Sequence, residues 1–193
     1  MYDRYFREFT KRVLLTEEEQ EFIKGYLTVK KIRKRQYLLQ EGDVCKSVAF
    51  VEMGAMRLYR VNEDGSEHIV AFGLDGSFLT DLYSFLTNEP STYNIDAIED
   101  SELVMITRSA SDELRKISPK YQEFIFQATS EAYIQLERRI SSTISISLEE
   151  RYKELTTTYP DIIQRVPQHM IASYMGLTAE TLSRVRKRIA TRK

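Results

Sequence analysis

The chain has 193 residues, of which 42% are hydrophobic and 30% are charged. This length accommodates one or two domains with a sizeable core. Its longest uninterrupted apolar runs span only a few residues, far short of the roughly 18 that a membrane-crossing helix needs. The charged, aromatic N-terminus also lacks the apolar segment of a secretion signal. We therefore expect a cytoplasmic protein without a membrane partner.

The single cysteine and two histidines limit metal and redox chemistry. Cys45 alone cannot build a disulfide framework, a CxxC pair or an iron–sulfur cluster held by four cysteines, and a Cys/His zinc site lacks ligands. We expect Cys45 to be a small core residue and His68 to be exposed on a strand rather than bound to haem. No Ser/His/Asp or Cys/His arrangement, phosphate-cradling glycine-rich loop or HExxH motif is present. An enzyme is therefore not expected, and no metal site is predicted.

The net charge of −1 conceals an uneven distribution. Residues 146–193 carry nine Lys or Arg against five acids, a net charge of +4, and six of the nine lie in the last ten residues. Such a cluster indicates contact with a polyanion, although cations at a helix end also complement the helix dipole. Residues 61–107 instead carry ten acids and no Lys or Arg, so a phosphate would find no cation there.

The first predicted helix begins at Thr16, because Thr16 and Glu19 form a capping-box pattern, and it ends near Gly25. The basic run at residues 30–35 is interpreted as the outer face of a strand. Residues 36–107 then show short runs rich in Val, Ile, Phe and Tyr, with glycine-containing turns every 11 or 12 residues. This spacing is typical of a sandwich or barrel.

Two hairpins are predicted within this β region. Asp64 and Gly65 supply the left-handed backbone that a tight hairpin turn needs, and apolar runs flank them on both sides. A second hairpin is expected to join residues 95–98 to residues 103–106 across a polar linker.

A long helix is predicted from Pro119 to Ser145, since proline is tolerated in a first turn. Apolar and threonine side chains recur along it at heptad spacing, which is typical of a helix that pairs with a second copy. An amphipathic helix packed on its own sheet is the alternative. The predicted dimer seam consists of Phe126, Thr129, Tyr133, Leu136, Ile140 and Thr143.

Three further helical segments follow. Ser147 and Glu150 form another capping box, and that helix is expected to end before Tyr159, which precedes a proline. A helix beginning near Pro167 is stopped by Gly176, and a last helix begins with Thr178 as its N-cap. Two short helices joined through glycine, the second of them basic, are typical of a helix-turn-helix.

The run from Met170 to Val185 closely resembles the helix-turn-helix of Crp/Fnr transcription regulators. Upstream segments, including residues 42–43, 50–54, 57–59 and 64–65, resemble the cyclic-nucleotide-binding-type β-roll of the same family. The resemblance implies an α+β fold: an N-terminal double-stranded β-roll of the jelly-roll type in residues 1–118, a dimerisation helix in residues 119–145 and a helix-turn-helix in residues 146–193. The wing that follows the recognition helix in longer members is expected to be truncated or absent.

Carried onto this sequence, the family pattern assigns base readout to Glu180, Ser183 and Arg184 in a recognition helix over residues 178–190. Arg can bond guanine, Glu can accept from cytosine and Ser can do either. The alternative is that Glu180 and Arg184 merely pair with each other on a solvated helix. Contacts to the DNA phosphates are expected from Thr178, Thr181, Arg186, Lys187 and Arg188.

The sequence departs from the family's nucleotide-binding members at residues 78–82 and 91–93. The glycine and the arginine that hold the cyclic phosphate there are missing, and an unpaired buried phosphate would cost several kcal/mol. We therefore expect no dependence on cyclic AMP. The same stretches supply either the lining of a pocket for a less anionic effector or ordinary surface groups, namely Thr80, Asp81, Tyr83, Ser91, Thr92 and Tyr93.

The resemblance therefore implies a homodimeric transcription regulator that reads an inverted repeat in double-stranded DNA, with RNA polymerase as a further partner. A module that binds a small molecule and acts through protein–protein contacts is the alternative, and it would lack the steep salt dependence of phosphate contacts.

Overall fold

The computed structural model describes residues Tyr2–Thr191. Its helices are α1 (Asp3–Thr10), α2 (Glu17–Lys24), α3 (Leu82–Thr87), α4 (Arg108–Ile117), α5 (Pro119–Ser145), α6 (Leu148–Thr158), α7 (Ile162–Arg165), α8 (Gln168–Tyr174) and α9 (Ala179–Thr191). Its strands are β1 (Thr28–Ile32), β2 (Tyr37–Leu39), β3 (Ser47–Met53), β4 (Ala55–Val61), β5 (Glu67–Leu74), β6 (Phe78–Leu79), β7 (Asn94–Ala97) and β8 (Ser101–Thr107).

The chain divides into two compact units. The first ends at Gln127 and the second begins at Ala128, so that the boundary falls within α5. All the strands belong to the first unit, and the second unit is helical in the residues that the structure describes. The α+β class is therefore confirmed. The division into three functional parts, with boundaries after residues 118 and 145, stays a prediction.

The β-roll consists of two four-stranded antiparallel sheets, with strand orders β1-β8-β3-β6 and β2-β7-β4-β5. Side chains alternate between the two faces of each strand. One face of each sheet contributes to a shared apolar core between the sheets. Buried members of this core include Val51, Met56, Leu58, Ile95 and Leu103.

The first predicted hairpin is confirmed. Strands β4 and β5 pair antiparallel from Ala55 and Leu74 to Val61 and Glu67, and Gly65 in the turn has a φ of +79°. The second predicted hairpin is wrong. Strand β7 pairs with β2 and β4, whereas β8 pairs with β1 and β3, so residues 98–100 carry the chain from one sheet to the other.

Helices cover the outer face of the first sheet and form a second core with it. This core joins aromatic residues of α1 and α5 to buried residues of β3 and β8. The rings of Phe9 and Phe124 stack with centroids 4.0 Å apart, and Tyr5 meets Phe50 edge-on at 5.4 Å. Such burial of large rings is a main source of stability in a small domain.

The helices predicted from capping patterns are confirmed. Thr16 caps α2 and Ser147 caps α6, each in a reciprocal capping box with the glutamate three residues later. Helix α5 runs from Pro119 to Ser145 as predicted. The basic run at residues 30–35 begins on the exposed part of β1, as expected of an outer strand face.

Candidate functional site

A tight turn at Gly176 joins α8 to α9. Gly176 has a φ of +71°, a conformation that glycine adopts without strain. The Leu177 amide donates to the Ala172 carbonyl at 2.9 Å and closes α8. Thr178 then caps α9, since its Oγ1 accepts from the Thr181 amide at 3.2 Å. The predicted helix-turn-helix elements are therefore present.

Helix α9 has one buried and one exposed face. Leu182 and Val185 are buried at 1% and 2% exposure and fix the helix to its unit. Glu180, Ser183 and Arg184 are exposed, and their spacing of three and four residues brings them together on the outer face. The three predicted base-reading residues thus form one stripe that a ligand can reach.

Arg184 is held mainly by a threonine rather than by Glu180. Its Nη2 donates to Thr181 Oγ1 at 3.2 Å, and Thr178 Oγ1 donates to the same oxygen at 3.1 Å. A hydrogen bond from its own backbone amide is the largest cause that lowers the pKa of Glu180, followed by Thr178, while the charge of Arg184 contributes least. The alternative in which Glu180 and Arg184 serve mainly as an ion pair is therefore weakened.

The predicted phosphate-contacting cations differ in their surroundings. Lys187 is exposed on the same side of α9 as the base-reading stripe, and Arg186 is half-buried. Arg188 forms an ion pair with Glu149 of α6 at 3.1 Å. The cations at positions 192 and 193, which complete the basic run, lie outside the described residues.

Two arginines that the sequence analysis did not identify contact the end of α8. Arg139 of α5 donates to the Tyr174 carbonyl at 3.3 Å, and Arg151 of α6 donates to the Met175 carbonyl at 3.0 Å. No local pattern marks them, because their partners lie 35 and 24 residues further along the chain.

The predicted dimer seam is exposed along α5. The exposed fractions are 72% for Phe126, 68% for Tyr133, 51% for Leu136 and 55% for Ile140, and both seam threonines are exposed as well. Ile144, which the heptad pattern does not include, is 82% exposed and extends the stripe by one turn. An apolar stripe of this size on a solvated helix marks an interaction surface.

The six predicted effector-pocket residues differ in burial and in their hydrogen bonds. Asp81 and Ser91 are buried and bond to each other, with Ser91 Oγ donating to Asp81 Oδ2 at 2.7 Å. The other oxygen of Asp81 caps α3. Ser91 Oγ also accepts from the Tyr93 amide at 3.0 Å. These polar groups therefore satisfy one another within the roll.

The remaining pocket candidates are only partly buried or are exposed. Thr80 is half-buried with its Oγ1 at 3.3 Å from the Sγ of Cys45, and Cys45 is buried as expected. Tyr83 and Thr92 are exposed. A cavity of about 460 Å³ lies elsewhere, between α1 and α2, where Tyr2, Phe6, Arg7 and Lys24 contribute to its lining.

Arg57 is a buried cation that partly balances the acidic stretch of the β-roll. Its Nε and Nη2 donate to the two carboxylate oxygens of Asp96 at 2.7 and 2.9 Å, and its Nη1 pairs with Glu67. Burial by itself would lower the pKa of Arg57, but the bonds to Asp96 and Glu67 raise it above its ordinary value. Arg57 alternates with Met56 and Leu58 of the inter-sheet core and so belongs to the opposite face of the sheet.

Residues 2–191 contain neither a metal-binding cluster nor a helix suited to crossing a membrane. No group of three or more His, Cys, Asp or Glu side chains is arranged to hold a metal ion. None of the helices in this part of the chain is long and apolar enough to cross a membrane.

A family model described as the cyclic nucleotide-binding domain matches residues 29–118, which comprise the β-roll and α4. A β-domain of this kind, followed by a long helix and a helix-turn-helix, defines a class of transcription regulators with an effector-type domain. Within this class, the relatives and the solved structures point to one type of regulator. Over most of its length the chain is similar to transcription regulators of the Crp/Fnr type.

The relatives span most of the chain. The regulatory protein HlyX of Actinobacillus pleuropneumoniae is 27% identical over 81% of this chain and 69% of its own length. The fumarate and nitrate reduction regulatory protein of Vibrio cholerae is 28% identical over 81% of this chain and 66% of its own length.

Solved structures share the fold at lower identity. FixK2 from Bradyrhizobium japonicum superposes with a TM-score of 0.69 at 22% identity, covering 86% of this chain and 85% of that one. A putative regulator of the Crp/Fnr family from Eubacterium rectale gives a TM-score of 0.66 at 16% identity, covering 92% and 85%.

Proposed function

We propose that this chain is a homodimeric, sequence-specific DNA-binding regulator that inserts α9 into the major groove and reads an inverted repeat. The observation that carries the proposal is the exposed stripe of Glu180, Ser183 and Arg184 on a helix whose opposite face is buried. A guanidinium, a carboxylate and a hydroxyl on one face can distinguish base pairs by their groove edges. Lys187 and Arg186 supply positive charge beside them.

The exposed seam of α5 supports the dimer. Leu136 and Ile140 would be buried if α5 paired with the same helix of a second copy, as heptad spacing favours. A two-fold dimer presents two recognition helices and therefore reads two half-sites, with centres about one helical turn of DNA apart. We propose RNA polymerase as a further partner, which the resemblance to Crp/Fnr regulators implies.

We propose that cyclic AMP does not regulate the chain, although its β-domain is of the cyclic-nucleotide-binding type. The carboxylate of Asp81 and the hydroxyl of Ser91 are committed to each other, and residues 61–107 contain no cation to neutralise a phosphate. Arg57 is engaged by two carboxylates.

Calorimetric titration of the full chain with cyclic AMP is expected to give no saturable heat, with any binding weaker than about 1 mM. DNA affinity measured by fluorescence anisotropy should also be the same with and without the nucleotide. Binding in the micromolar range, or a nucleotide-dependent gain in DNA affinity, would show that the roll accommodates the phosphate after all.

Substitution of Arg184 tests the reading role directly. Arg184→Ala should cost about 1–3 kcal/mol on the preferred duplex and relax preference at one base pair of each half-site, because a bidentate contact to guanine is lost. Competition among duplexes that differ at single positions measures this change.

Lys187→Ala is the matched control, since it removes one cation from the same helix. It should weaken binding to all duplexes by a similar factor and reduce the slope of affinity against salt by about one unit. If both variants lose affinity without any change in base preference, Arg184 does not read a base.

A further inference from the structure

The last three carbonyls of α8 and the carbonyl of its C-cap, Met175, all accept hydrogen bonds. A helix leaves these groups without partners inside the helix. Two of them are satisfied within the turn itself. The Leu177 amide donates to Ala172 at 2.9 Å, and the Gly176 amide donates to Ser173 at 3.0 Å.

The other two carbonyls are bonded by arginines from different helices. Arg139 on α5 donates to the Tyr174 carbonyl, and Arg151 on α6 donates to the Met175 carbonyl. Cations at this end of a helix also complement its dipole. We refer to Arg139 and Arg151 as the arginine clamp. The clamp attaches the turn before α9 to both α5 and α6.

Arg139 makes a second contact that a lysine could not fully reproduce. Its guanidinium carbon lies 4.0 Å from the centroid of the Tyr174 ring, which is the distance of a planar cation stacked on an aromatic face. Arg139 and Tyr174 are themselves both half-buried. The contact is therefore partly shielded from water.

Arg139 is also next to the proposed dimer seam. It lies three residues after Leu136 and one residue before Ile140 on the same helix, so it projects from the edge of the seam. Any partner that fixes α5 along Leu136 and Ile140 therefore also fixes the start of the Arg139 side chain. The hydrogen bond from Arg139 to the Tyr174 carbonyl connects this part of α5 to the turn before α9.

We propose that Arg139 is a positioning residue for DNA recognition, which ties the orientation of α9 to the dimerised α5. The inference rests on the proposed function. Without Arg139 the second unit keeps its core and the dimer keeps its seam, but the two recognition helices are held less firmly at the spacing of the two half-sites. Sequence-specific binding therefore weakens, while general attraction to DNA phosphates remains.

The test compares Arg139→Ala with Arg138→Ala in the full chain. Arg138 is an exposed neighbour on the same helix, and its loss removes the same charge. Affinity for the preferred inverted repeat should fall about tenfold in Arg139→Ala, the loss expected of a charged hydrogen bond. Its affinity for a scrambled duplex and its sedimentation as a dimer should stay within about twofold of the unmodified chain.

Arg138→Ala should leave both affinities nearly unchanged, and Arg139→Lys should recover part of the specific binding, because lysine keeps the charge and one donor without the stacking. Equal affinities of Arg139→Ala and Arg138→Ala for the repeat would overturn the inference. So would an equal loss on repeat and scrambled duplex, or no recovery in Arg139→Lys. If the unmodified chain prefers no duplex over the scrambled one, the proposed function itself fails and the inference falls with it.

Discussion

The Leu136→Glu variant is expected to be a monomer with at least a hundredfold lower affinity for its inverted repeat. Leu136 is central in the exposed stripe of α5, and a carboxylate there would have to be buried without a partner in a paired seam. A monomer reads a single half-site and loses the effective concentration that links the two sites. Sedimentation equilibrium gives the oligomeric state, and fluorescence anisotropy gives the affinity.

Gln135→Glu is the matched control for this variant. Gln135 is an exposed neighbour of Leu136 on α5, and its direction from the helix axis differs from that of the seam by more than a quarter turn. The control should remain a dimer. Circular dichroism should show that both variants keep their helical content, because Leu136 is half-exposed in the single chain. A dimeric Leu136→Glu protein would refute the seam.

Arg57→Ala is expected to reduce the free energy of unfolding by about 3–5 kcal/mol, the usual cost of leaving one partner of a buried ion pair uncompensated. Arg57 and Asp96 are 8% and 6% exposed, and two hydrogen bonds join them. The guanidinium also lies 3.9 Å from the centroid of the Tyr59 ring. Loss of Arg57 therefore leaves the buried carboxylate of Asp96 without its cation and removes the stacking partner of Tyr59. Urea unfolding followed by circular dichroism measures the change.

Glu67→Ala provides the comparison, because it removes the other carboxylate that pairs with Arg57. The Glu67 side chain is 42% exposed, so water screens this pair and its loss should cost less than about 1 kcal/mol. Replacing both buried partners, as in Arg57→Met with Asp96→Leu, should recover much of the stability. Equal losses in Arg57→Ala and Glu67→Ala would show that the Asp96 pair is not the dominant interaction.

Local signals explain which elements the sequence predicts well. Capping boxes at Thr16 and Ser147 and the Asp64–Gly65 turn act through neighbours three or four residues away, so their outcome follows from the sequence alone. Strand β7 and strand β8 are separated by a short polar linker that looks like a hairpin turn. Their assignment to different sheets depends on β2, β4, β1 and β3, and such distant pairings leave no local pattern.

In the candidate site, too, the features set by local spacing are predictable and the contacts between distant residues are not. The exposed stripe of α9 follows from helical spacing, whereas the bonds of Arg139 to Tyr174 and of Arg57 to Asp96 join residues 35 and 39 positions apart. The mutual bond of Asp81 and Ser91 likewise depends on how α3 and the strand after it are folded together. Helix α1 could have been found, since Tyr5, Phe6 and Phe9 have the spacing of a buried helix face.

Selection of bound duplexes from a random pool by the purified full chain, without nucleotide, tests the central claim most directly. We predict enrichment of an inverted repeat with half-site centres about 10 base pairs apart, bound by a dimer with an affinity that falls steeply with salt. If no sequence is enriched, or if binding is independent of salt, α9 does not read DNA and the chain is not a sequence-specific regulator.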